Sequence, residues 1–122
     1  MAMVTVAAVQ ASYIFMNREA TLSKVEELLA RPDVRRADLV VFPEAFVPGT
    51  PIWIDGPPIW DGDEKWFEML ADQAVVVPSE TTRRLGAAAL AAGVYLVIGI
   101  SEREQNGSTI YNTLLYFDPA GT

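Results

Sequence analysis

The chain has 122 residues, 51% of them hydrophobic and 20% charged, with a formal net charge of −7 at pH 7. That length suits one domain, and so apolar a composition excludes a disordered chain. The acidic balance, with no basic cluster beyond Arg35-Arg36 and Arg83-Arg84, argues against nucleic acid or an anionic membrane surface as partner.

Cysteine and histidine are both absent. Disulfide frameworks, Cys/His zinc sites, thiol nucleophiles and Ser-His-Asp triads are therefore excluded within these residues, and no metal or cofactor is expected. The N-terminus lacks a basic segment ahead of its apolar run, so no signal peptide is expected and a cytoplasmic location is the default. Residues 85–101 carry no charge, but they are barely long enough to span a bilayer and are interrupted by Gly86, Gly93 and Gly99. A helix followed by a strand is the better reading, with no membrane contact.

In chain order, residues 4–9 read as a first apolar strand. Asn17 is an expected N-cap, followed by a helix with Glu19 in its first turn, Leu22, Val25, Leu28 and Leu29 on one face, and Pro32 beyond its end. Residues 39–42 form a second strand whose apolar, β-branched run reads as buried on both faces. It should stop at Pro43, which has no N–H for a sheet ladder. The connection 47–62 is rich in Pro and Gly and long for a plain loop. Its Ile52, Trp53, Ile54, Ile59 and Trp60 are too apolar for a disordered one. Asp61 with Glu64 suggests a capping box opening a short helix that bears Trp66, Phe67 and Leu70. Ser79 should cap the next helix, with Gly93 at its C-terminal end. Residues 94–100 read as a third buried strand. Asn106-Gly107 is a hairpin signal leading to a fourth, 109–117, with Ile110, Asn112, Leu114 and Tyr116 on one face. Asp118-Pro119-Ala120-Gly121 is a turn sequence with nothing after it, so a further strand is expected beyond Thr122.

Glu44 is the residue with chemical promise. It follows Pro43 at the C-terminal tip of a buried strand, where α/β folds place their ligand sites. An isolated strand-end glutamate is ordinarily a solvated one. Here Ala45, Phe46, Val47 and Pro48 do not read as a solvated loop, and Glu44 is expected to point into a walled pocket as a general base. Trp53, Trp60, Trp66 and Phe67 either pack the long loop, which base rates favour, or line an apolar pocket. Asn112 is equally suited to bonding the loop after Glu44 or a neighbouring backbone group. Ser12, Ser79 and Ser101 have no histidine to activate them and are discarded as nucleophiles. Glu102 is read as solvated.

The run Phe42-Pro43-Glu44-Ala45-Phe46-Val47-Pro48-Gly49, continued by Gly49-x-Pro51-x-Trp53, resembles the catalytic-glutamate motif of the nitrilase superfamily of carbon-nitrogen hydrolases. Residues 6–11, 97–103 and 111–115 extend the resemblance in the family's order over about four-fifths of the chain. The resemblance implies an α/β chain that is the N-terminal part of an α-β-β-α sandwich, so that residues 1–122 form an incomplete domain. It also implies a Glu-Lys-Cys catalytic set of which only Glu44 is present, since Lys24 and Lys65 lie in the wrong context. In such enzymes a cysteine thiolate attacks the nitrile carbon, the lysine stabilises the developing charge, and the glutamate moves the protons. Thr50, Trp53 and Asn112 are the implied substrate-binding residues. Tyrosine is common in nitrilases where Thr50 stands. An aromatic wall and a phenol are therefore missing beside the motif, and the resemblance does not carry over a substrate size preference. The implied partner is a small nitrile or amide, and relatives of this kind form dimers and spiral homo-oligomers. Nitrilase is the leading expectation. The alternatives are an amidase, carbamoylase or cyanide-processing enzyme, or a non-catalytic α/β module.

Overall fold

The computed structural model describes residues 2–56, 58 and 64–122. Four strands form one mixed sheet in the order β1 (Val6–Ala8), β2 (Leu39–Val41), β3 (Tyr95–Arg103) and β4 (Ile110–Phe117). The first three are parallel, and β4 returns antiparallel to β3. Between β1 and β2 runs α1 (Arg18–Leu29); between β2 and β3 come α2 (Glu64–Gln73) and α3 (Glu80–Ala92). Asp61 and Trp60, assigned above to a capping box and a loop, lie outside the described residues.

Local signals account for most element ends. The Asn17 side chain accepts the Ala20 N–H at 2.9 Å, capping α1. Gly93 closes α3 at φ 70°, a left-handed conformation that costs glycine little. Ser79 takes the N-cap position of α3 as expected, in a capping box in which the Thr82 hydroxyl accepts the Ser79 N–H at 2.9 Å. Two strands differ from the sequence reading. β1 is shorter, although its flanks still pair through Thr5 O and Val9 N. β3 runs on through polar Ser101, Glu102 and Arg103, because β4 offers ladder partners as far as Ile110. Apolar patterning cannot register such an extension. Glu102 is not solvated there: half-buried, it accepts a 2.8 Å hydrogen bond from Thr113 Oγ1.

Alternation along the strands divides the sheet into two unlike faces. Val40, Leu96, Ile98 and Ile100 are fully buried and pack with Leu22, Val25 and Leu29 of α1 and Leu85, Ala89 and Ala92 of α3. These two helices form a single covering layer. Arg84 of α3 reinforces it with a fork of hydrogen bonds to Glu26 and a further bond to Glu19, both on α1. Those carboxylates, Glu26 first, hold its guanidinium pKa above the ordinary value. The opposite face is open. Val6, Tyr95, Leu114 and Tyr116 lie on it, and Tyr116 is 69% exposed. These four residues are left largely exposed on this side. After β4, Asp118 organises the final turn by accepting the N–H groups of Ala120 and Thr122. Gly121 then rests on Gly86 of α3, so closely that a Cβ on Gly86 would lie 2.4 Å from Gly121 O.

Candidate functional site

β2 does not simply end at Pro43. Phe42 N–H donates to Val97 O and Pro43 O accepts from Gly99 N–H, after which the chain leaves the sheet and returns when Val47 pairs beside Ile100. Glu44, Ala45 and Phe46 form the excursion between these anchor points. Ala45 lies at φ 46°, a conformation sparsely populated by residues with a Cβ. The turn sends its side chains in opposite directions. Phe46 is fully buried against Phe42 and Tyr13, at centroid distances of 5.3 and 6.2 Å, whereas Glu44 emerges beyond the carboxyl end of β2.

Glu44 lines a cavity of about 560 Å³ together with Thr50, Trp53 and Asn112. All four residues singled out from the sequence are therefore brought to one place. From the sequence Glu44 is expected to point into a walled pocket; it lines this cavity, and its side chain is exposed there. The walls present here are mostly apolar, with Ile54, Phe67, Leu70, Ile110 and Tyr111 beside Trp53. Glu44 is the only charged side chain among the described residues that line it.

The Asn112 side chain bonds the Glu44 side chain itself, rather than the loop after Glu44 or a backbone group. Its Nδ2 donates to Glu44 Oε1 at 2.5 Å, fixing the carboxylate across the top of β3. Among the described residues Oε2 takes no side-chain hydrogen bond. Ser101, directly opposite Asn112 in the β3–β4 ladder, puts a buried side chain on the same wall. Sequence reasoning weighs it only as a nucleophile. The hairpin register, with Asn106-Gly107 at its turn, is the signal that could place it next to Asn112.

The aromatic loop combines both roles open to it. Trp53 stacks on Trp66 at 6.0 Å and meets Phe15 edge-on at 6.3 Å, and it also borders the cavity. Packing thus holds the wall in place. Phe67 lines the cavity, and Trp66 stands behind Trp53. Trp60 lies outside the described residues. No group of three or more His, Cys, Asp or Glu side chains suited to a metal occurs among the described residues, and no helix there is long and apolar enough to cross a membrane.

Comparison with known proteins shows the family and the fold. The model of the carbon-nitrogen hydrolase family matches residues 5–122. The chain is 40% identical to Nitrilase 3 of an unknown prokaryotic organism, with 100% of this chain and 37% of that protein covered. It is 38% identical to an aliphatic nitrilase of Sinorhizobium fredii, covering 94% of this chain and 38% of the relative. With a bifunctional nitrilase/nitrile hydratase of Nicotiana tabacum it shares 43% identity, over 93% of this chain and 33% of the relative. The chain therefore spans between about a third and two-fifths of these relatives' length. In fold it is similar to a CN-hydrolase superfamily protein of Xanthomonas campestris, with a TM-score of 0.72 at 21% identity, covering 100% of this chain and 39% of the other. It is likewise similar to an amidase from Nesterenkonia sp., with a TM-score of 0.61 at 19% identity, covering 97% and 39%. A family match over nearly the whole chain, with relatives of the same kind and a shared fold, makes the chain a member of the carbon-nitrogen hydrolase family.

Proposed function

We propose that residues 1–122 are the N-terminal part of a nitrilase domain in which Glu44 is the general base. The observation that carries this reading is the Glu44 carboxylate, held at one oxygen by Asn112 and free at the other, at the mouth of a cavity shared with Thr50 and Trp53. A cysteine thiol, supplied outside these residues, would give its proton to Glu44 as its sulfur adds to the nitrile carbon, forming a thioimidate. A lysine would stabilise the developing negative charge. Addition of water and loss of ammonia leave a thioester. A second water, activated by Glu44, releases the carboxylic acid and restores the thiol. The cavity walls suit a small, uncharged, partly apolar nitrile. Since proteins of this family form dimers and spiral homo-oligomers, the complete enzyme would be a homo-oligomer of that kind.

The test is to give a complete hydrolase carrying this segment benzonitrile and butyronitrile, and separately the matching amides. Carboxylic acid and ammonia in equal amounts from a nitrile are expected. An amidase is the second reading, favoured by fold neighbours that bear that name. Turnover of amides alone would establish it. Failure on all four substrates would favour a non-catalytic module.

Asn112→Ala in the same enzyme should lower kcat about tenfold, equivalent to about 1.4 kcal/mol, because the carboxylate loses its anchor and samples other rotamers. Steady-state kinetics would check this. A value within twofold of the parent would mean that the bond does not order the base.

A further inference from the structure

We infer that Gly99 is the positioning residue for Glu44, an inference that rests on the proposed role of Glu44 as base. Gly99 lies in the middle of β3 between Ile98 and Ile100, whose buried side chains face the helices. Its absent side chain therefore belongs to the opposite face, where the Pro43–Ala45 turn crosses the strand. A Cβ built on Gly99 would lie 2.5 Å from Ala45 N, 2.6 Å from Glu44 Cα and 2.6 Å from Pro43 O. All three are backbone atoms, so no flexible side chain can yield.

The backbone of Gly99 also grips both ends of the excursion. Its N–H donates to Pro43 O at 3.2 Å, and its carbonyl accepts the Val47 N–H at 3.3 Å. The turn is thus pinned on either side of Glu44 and pressed onto the strand between the pins. Ala45, at φ 46°, is the residue that bends to make this possible.

A methyl group at position 99 must lift the turn by about 1 Å to reach ordinary contact. A shift of that size carries Glu44 away from Asn112 and from the reacting atoms. Misplacement by about 1 Å can cost about 10²-fold in rate.

The experiment compares Gly99→Ala, Gly93→Ala and Glu44→Gln in the complete hydrolase, with benzonitrile and butyronitrile as substrates and rates expressed per titrated active site. Gly93 has a left-handed backbone but open space around the missing Cβ, so its replacement lowers Tm with no route to Glu44. The expected result is a kcat for Gly99→Ala about 10²-fold down with KM changed less than threefold, while Gly93→Ala keeps the parent kcat. Should Gly99→Ala not accumulate, adding Ala45→Gly frees the turn, and the folded double variant is expected to show the same loss of kcat. Parent-like kcat in either folded form would overturn the inference. So would failure of both to fold, since Gly99 would then serve folding rather than placement of the base. Activity retained in Glu44→Gln would overturn the proposed base and this inference with it, whereas loss in Glu44→Gln beside a parent-like Gly99→Ala would overturn the inference alone.

Discussion

Glu44→Gln in a complete hydrolase carrying this segment should lower kcat by about 10²–10⁴-fold, the usual contribution of a positioned general base. The amide has almost the shape of the carboxylate but cannot take a proton from a thiol or from water. The fold should be indifferent to the change. Glu44 is exposed, its side-chain hydrogen bond is to Asn112, and the segment around it is held through Pro43, Phe46 and Val47. The introduced amide can still accept from Asn112 through its oxygen. A Tm and circular dichroism spectrum close to the parent are therefore expected alongside the loss of turnover. Retention of more than a tenth of the parent kcat on the better nitrile would show that another group moves the proton.

The parts of this site visible in the sequence are those whose causes are local. Pro43 interrupts an apolar run, and the residues after Glu44 are too apolar to be solvated. Those two facts place a carboxylate at the strand tip without any coordinates. The Asn17 cap and the Gly93 terminus are legible for the same reason, since each depends on a few neighbouring backbone groups. The Glu44–Asn112 bond spans 68 residues of sequence and exists only once β2, β3 and β4 are in register. Patterning can put Asn112 on a strand face, but it cannot say which loop lies above that face. Gly99 is a stronger case. In sequence it is a glycine in an apolar strand, and its significance lies wholly in the backbone that crosses it. Glu102 escapes a sequence reading because the apolar pattern ends at Ile100, while strand pairing continues for as long as β4 supplies partners.

The isolated 122-residue chain should be catalytically inert and should self-associate through the uncovered face of its sheet. Inertness follows from chemistry: with no cysteine or histidine, no thiolate or histidine-activated nucleophile is available. Association follows from the division of the sheet. The helix-facing side is sealed by α1 and α3, with Val40, Leu96, Ile98 and Ile100 at zero exposure. On the other side Val6, Tyr95, Leu114 and Tyr116 are each between 49 and 69% exposed. They form a continuous apolar strip across β1, β3 and β4, with Leu39 and Val41 of β2 between them. Apolar surface of this kind gains roughly 25 cal/mol per Å² when it is removed from water, so a second copy is an available cover. β4 adds an eight-residue edge strand, whose unpaired backbone groups favour the same outcome. Size-exclusion chromatography with light scattering should find dimers or larger species at tens of micromolar, and Leu114→Lys with Tyr116→Glu should shift them toward monomer while the far-ultraviolet spectrum is kept. Both substituted positions point away from the helix-packed core, so the charges need not disturb it. A parent chain that elutes as a sharp monomer and melts cooperatively would show that the open face is tolerated in water, and the segment would then be a self-sufficient domain.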